Sequence, residues 1–137
     1  MTPISYMQWD SRWKKVIYSK IMSYNKKGEP VYHSTGQNIG NSGCGTTCAA
    51  MVVATLKDKK ITPVEASEWA MKHGHRTLDS GTDYGYFVPY LAQYGIWCEH
   101  TTPSNLRAMT ASKSKPYKEK LITGLKNNKW AICSMGV

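Results

Sequence analysis

With 137 residues, 41% of them hydrophobic and 11% aromatic, the chain can bury enough apolar surface to offset its ordering entropy, which excludes intrinsic disorder. Its 18 Lys and Arg against 9 Asp and Glu leave a net charge of +9, which suits an anionic partner: nucleic acid, lipid headgroups or the acidic polymers of a bacterial wall. The basic residues are scattered and carry no nucleic-acid module signature, so a nucleic-acid partner is not expected.

One domain over residues 1–137 is the simplest organisation. The start, Met1-Thr2-Pro3, leads directly into polar and aromatic sequence, so no signal peptide is visible. The longest apolar run, from Cys48 to Ala54, is too short for a transmembrane segment, and a soluble protein is expected. Four cysteines (Cys44, Cys48, Cys98, Cys133) lack the spacing of a disulfide scaffold. They also lack the two-residue knuckles of structural zinc, so neither a metal nor a cofactor is expected.

In chain order, Val16-Ile17-Tyr18 and Val31-Tyr32-His33 flank Asn25-Lys26-Lys27-Gly28-Glu29-Pro30, which predicts a hairpin-like arm of two short strands. Asn41-Ser42-Gly43 then reads as a loop turning into a helix. From Cys44 to about Lys57 that helix is apolar on nearly every side, which places it in the middle of the domain. Thr62-Pro63-Val64-Glu65 is a strong helix start with a capping box, running to His73 with Gly74 as its stop. Trp69 is expected to pack, and His73 and His75 to lie on the surface.

Residues 79–83 read as a turn and helix start, leading into a helix over 84–94 that Pro89 kinks, with Phe87, Val88, Leu91 and Tyr94 in the core. A strand is expected at 96–100, then a connection over 101–106. A last helix is expected over 116–127, with Tyr117, Leu121, Ile122 and Leu125 on one side. Residues 130–135 read as a buried strand with no visible sequential partner, so the sheet looks truncated and the domain incomplete. An open edge of that kind would invite a strand-swapped dimer.

The chemistry centres on Cys44. A helix's N-terminal mouth, with its unpaired N–H groups and positive dipole end, draws a thiol toward the nucleophilic thiolate. Locally, Cys44 reads equally as a catalytic nucleophile or as a small buried residue, and Cys48, one turn deeper, as packing.

Four stretches together go further: Tyr6-Met7-Gln8-Trp9-Asp10-Ser11-Arg12-Trp13, Gly43-Cys44-Gly45-Thr46-Thr47-Cys48-Ala49-Ala50-Met51, Ile61-Thr62-Pro63-Val64-Glu65 and Gly81-Thr82-Asp83-Tyr84-Gly85-Tyr86-Phe87. In this order they resemble the papain-like cysteine peptidases related to the bacteriocin double-glycine leader peptidases, and more closely the branch found in phage lysins and bacterial cell-wall hydrolases. The resemblance implies an α+β papain-like fold with a central buried helix, further helices and an antiparallel sheet. It also implies that Cys44 is the nucleophile, with peptide or peptidoglycan as substrate at or outside the bacterial wall. For the oxyanion it implies an upstream Gln, for which Gln8 and Gln37 are the candidates. The family's base and its orienting residue follow the strand equivalent to 130–135 and have no counterpart in this sequence. His100, at the end of a predicted strand, is the substitute base. The alternative is a catalytically incomplete fragment or binding module of the same fold.

Overall fold

The order of helices and strands follows from where the sequence caps, breaks and buries its segments. The computed structural model describes residues 2–78, 81–100 and 111–134. They form a small α+β fold with five α-helices and a two-stranded antiparallel sheet, divided into two compact units, Met1–Cys98 and Glu99–Val137. The expected turn at Asp79-Ser80, the connection over 101–106 and the end of the last strand at Met135 lie outside the described residues.

In the first unit, strands β1 (Ile21–Tyr24) and β2 (Pro30–Tyr32) pair antiparallel, with Ile21 opposite Tyr32 and Tyr24 opposite Pro30. The Asn25 side chain closes the turn between them, its Oδ1 accepting from the N–H groups of Lys27 and Glu29 at 2.9 Å each. Met22, Tyr24 and Val31 are exposed, so the hairpin is an arm, but its first strand lies at Ile21–Tyr24 and not at the expected 16–18, where Tyr18 is fully buried.

The core is helical. Asn38 caps the short α1 (Ile39–Ser42) through a reciprocal bond with Asn41, and buried Gly43 separates it from α2 (Cys44–Leu56). A Cβ on Gly43 would lie 2.8 Å from the Ile39 carbonyl, which explains the small residue there. Along α2, Ala49, Ala50 and Val53 have no exposed surface, as its uniformly apolar sequence predicts. Helix α3 (Pro63–Lys72) starts where the capping box predicts: Glu65 Oε2 accepts from Thr62 N at 2.7 Å, and Thr62 Oγ1 accepts from Val64 N at 3.2 Å. Small residues on α3, Ala66 and Ala70, are fully buried and let it pack closely on α2. Thr46 and Ser67 join the two helices by a hydroxyl bond of 2.8 Å.

A 3-10 turn (Tyr84–Tyr86) leads into α4 (Phe87–Ala92). The side chains it buries fully are Tyr86, Tyr90 and Leu91, whereas Phe87, Val88 and Tyr94 are only half-buried. Tyr86 and Tyr90 stack at 4.8 Å, and Tyr86 Oη donates to the Ala66 carbonyl at 3.0 Å. Pro89 sits in the first turn of α4, where a missing N–H costs no intrahelical bond, so it is tolerated.

The predicted strands at 96–100 and 130–135 are not formed among the described residues. Trp97 is 93% exposed and Trp130 46%, so neither segment has the buried face that would hold it in a sheet. The open strand edge on which strand exchange would depend is therefore absent at 130–134. In the second unit α5 (Ala111–Lys126) starts five residues before the expected Pro116. Lys120 Nζ lies 2.7 Å from Glu99 Oε2, and this contact holds the exposed Glu99 carboxyl below its usual range.

Replacing Ala66 by Leu should drive methyl groups into the α2–α3 contact and destabilise the chain by roughly 1–3 kcal/mol. A lower urea midpoint at unchanged m-value would register it, and an unchanged midpoint would mean that the contact is loose.

Candidate functional site

Cys44 is the first residue of α2, and it is exposed although most of the helix behind it is buried. Gly43 caps the helix without a side-chain hydrogen bond, so no protein side chain competes for that mouth through the cap position. One turn deeper, Cys48 is half-buried, and burial together with the neighbouring Cys44 pushes its thiol up. That suits the packing role the sequence predicts for it.

A hairpin-like turn lies beside the mouth. Thr77 N donates to the Gly81 carbonyl at 2.8 Å, Asp83 N donates to the His75 carbonyl at 2.9 Å, and Arg76 and Thr82 form an antiparallel bridge. Gly81 has φ +78, and a Cβ there would come within 3.2 Å of the Ser42 carbonyl. Thr82 stands against Gly45, the residue after Cys44: a Cβ at position 45 would meet Thr82 Cβ at 3.5 Å. A hollow of about 280 Å³ opens there, lined by Thr77, Thr82, Asp83 and Tyr84.

The turn is held from below by Arg76, which is 2% exposed. Its Nε donates to the Tyr18 carbonyl at 3.1 Å, its Nη1 to the carbonyls of Thr77 and Gly81, and its Nη2 to Gln37 Oε1 at 3.0 Å. The guanidinium carbon also lies 4.9 Å from the centre of the Tyr18 ring. Burial pulls the Arg76 pKa down, opposed by Tyr18. Tyr18 itself is fully buried, and its hydroxyl meets Thr82 Oγ1 at 2.5 Å. Burial pushes the Tyr18 phenol up to about 12; Thr82 and Arg76 oppose this, while Cys44 and Asp83 add to it.

The two glutamines suggested for the oxyanion are both engaged. Gln8 Nε2 donates to the carbonyls of Ile39 and Gly40 at 3.0 Å each, tying the N-terminal segment to α1. Gln37 accepts from Arg76 and from Ser19 Oγ at 3.2 Å, and its Nε2 reaches the Leu78 carbonyl at 3.5 Å. Gln37 thus belongs to the polar support of the turn. His100 lies exposed in the second unit, in a segment without regular structure.

Sequence reasoning did not single out Tyr18, Arg76 or the pair His75–Asp83. His75 Nδ1 lies 3.0 Å from Asp83 Oδ1, and its ring runs parallel to Trp69 at 5.6 Å, so it is half-buried rather than a surface residue. Exposed His73 stacks on the same indole at 3.9 Å. Among the described residues no hydrogen bond joins Cys44 to a histidine, and no group of three or more metal-ligating side chains occurs. The sequence signals for the turn were the turn chemistry of residues 79–83 and the Gly81-Thr82-Asp83 motif; Arg76 stood between polar neighbours without any periodicity.

No family model matches the chain, and neither a curated protein nor a solved structure shows a significant match to it.

Arg76→Leu should take the guanidinium donors away from the carbonyls of Tyr18 and Thr77 and destabilise the first unit by about 3 kcal/mol or more, as read from chemical denaturation. A loss below about 0.5 kcal/mol would mean that the guanidinium is not the tie described. Tyr18 gives a pH dependence. Its folded pKa is raised above the ordinary value of 10.0, so its contribution is complete below pH 10 and is lost as pH rises toward about 12. Tyr18→Phe should flatten that alkaline loss in denaturation curves; an unchanged alkaline slope would assign the loss to other groups.

Proposed function

We propose that the chain is a cysteine peptidase-like domain of papain-like type, hydrolysing peptide or amide bonds of bacterial peptidoglycan through a thioester on Cys44. The observation that carries this reading is the exposure of Cys44 at the first position of a helix whose Ala49, Ala50 and Val53 are fully buried. A nucleophile needs access to substrate and a rigid mount, and this position supplies both. The Gly43-Cys44-Gly45 context and the three motifs that accompany it support the same reading.

The thiolate of Cys44 attacks the carbonyl carbon, and the negative charge moves to the carbonyl oxygen. In this reading the backbone N–H of Cys44 serves as one donor to that oxyanion. Collapse of the tetrahedral species expels the amine, which takes the proton that the Cys44 thiol gave up, and water then hydrolyses the thioester, releasing the acid and restoring the thiol. The net charge of +9 favours dwelling on an anionic wall, with peptidoglycan stem peptides as substrate. His100 is the candidate base within this sequence.

A second reading, a binding module of the same fold, is favoured by a specific observation. His75 is engaged by Asp83, His73 by the Trp69 carbonyl at 2.8 Å, and neither is bonded to Cys44. Purified cell walls treated with the chain and with Cys44→Ala separate the two. The peptidase reading expects new amino groups only with Cys44 present, at a rate at least a hundredfold above the variant. Equal release by both proteins would leave the binding module. Iodoacetamide labelling across pH adds an independent measure, since an activated thiol labels quickly at low pH and an ordinary one does not.

A further inference from the structure

We propose that the hollow beside Cys44, lined by Thr77, Thr82, Asp83 and Tyr84, is a subsite for an ammonium group of the peptide substrate. This rests on the peptidase reading above and names the chemistry that the same site selects.

The position comes from Thr82. It forms a wall of the hollow and also stands against Gly45, next to the nucleophile, so a group seated there belongs to a residue near the scissile bond. The hollow's size, about 280 Å³, falls just below the range of roughly 300–1,000 Å³ for drug-sized ligands, which suits one side chain or chain end.

The charge comes from Asp83. Four other described carboxylates of the first unit are held by local structure, Asp10 on Arg12, Glu29 on Asn25, Asp58 on the Lys60 N–H and Glu65 on the α3 cap, and Glu68, exposed on α3, does not line the hollow. Asp83 differs. Its Oδ1 accepts from His75, while Oδ2 carries no hydrogen bond among the described residues and the side chain is 39% exposed. Asp83 is the one charged side chain among the four residues that line the hollow, and its carboxylate favours a cation there against the opposing field of the Arg76 guanidinium beneath the turn. The threonine hydroxyls supply further acceptor oxygens, and the half-exposed Tyr84 ring offers an apolar wall for an alkyl stem and a face for its charge.

An ammonium group of a peptide comes from its free α-amine or from a diamino-acid side chain such as lysine. The test therefore uses the full chain carrying Cys44→Ala, which binds without turnover, and a short alanine peptide with one lysine. Three forms are titrated by calorimetry: both amines free, the α-amine acetylated, and the lysine side chain acetylated. The expected result is that blocking one of the two weakens binding about tenfold, which identifies the source. Asp83→Asn should remove that preference while the weaker-binding acetylated peptide keeps its affinity within about twofold. Equal affinity for all three forms, no binding of any, or a preference that survives Asp83→Asn overturns the subsite. The three-peptide comparison on protein with Asp83 intact stands even where the variant folds poorly. Wall hydrolysis by the unaltered chain is scored separately. Hydrolysis without an amine preference removes the subsite alone, and a preference without hydrolysis supports the subsite while removing the peptidase reading.

Discussion

A guanidinium buried with no carboxylate at hydrogen-bond distance among the described residues is the constraint on which the site's architecture depends. Arg76 is 2% exposed, and its charge is met by main-chain carbonyls of Tyr18, Thr77 and Gly81 and by the Gln37 side chain. Such a charge is tolerable inside a protein only when its donors are satisfied together. The requirement fixes two distant stretches of chain at once: the strand-like segment around Tyr18 and the turn that follows α3. Through Tyr18 the tie reaches Thr82, and through Thr82 it reaches the N-terminal mouth of α2.

The helix pair supplies the platform. Helix α2 is apolar on nearly all sides and is buried accordingly, with Ala66 and Ala70 of α3 small enough to let the backbones approach. Cys44 is the exception because it sits at the end of that helix, where the core stops and solvent begins. The N-terminal segment is lashed over the platform by separate bonds, among them Tyr6 Oη to the Ile61 carbonyl at 2.8 Å and Gln8 Nε2 to the first two carbonyls of α1. Gln8 thus contributes to the site at least by holding α1 and the helix mouth in place.

Much of the helical part was legible in the residues. The capping box at Thr62 and Glu65 placed α3, and the apolar run after Cys44 placed α2, because both signals act within a few residues of one another. The Asn25–Glu29 turn was legible for the same reason. Strands were not: residues 96–100 and 130–135 have the composition of strands, but a strand exists only where another strand pairs with it, and among the described residues none does. Of the expected core positions on this segment, Leu91 is buried, whereas the aromatic ones differ. Tyr86 and Tyr90 are buried rather than Phe87 and Tyr94, because edge-on packing against Trp69 and stacking on one another decided the facing.

The sequence by itself determined the start of α2, the place of Cys44 at its mouth and the cap of α3, since caps and helix ends are local chemistry, while the exposure of Cys44 was left open. Only the tertiary structure decided that Arg76, Tyr18, Thr82 and Asp83 gather beside that cysteine. Residues 18 and 76 share no periodicity and no motif; a buried charge seeking carbonyl partners brought them together, and that search is long-range by nature.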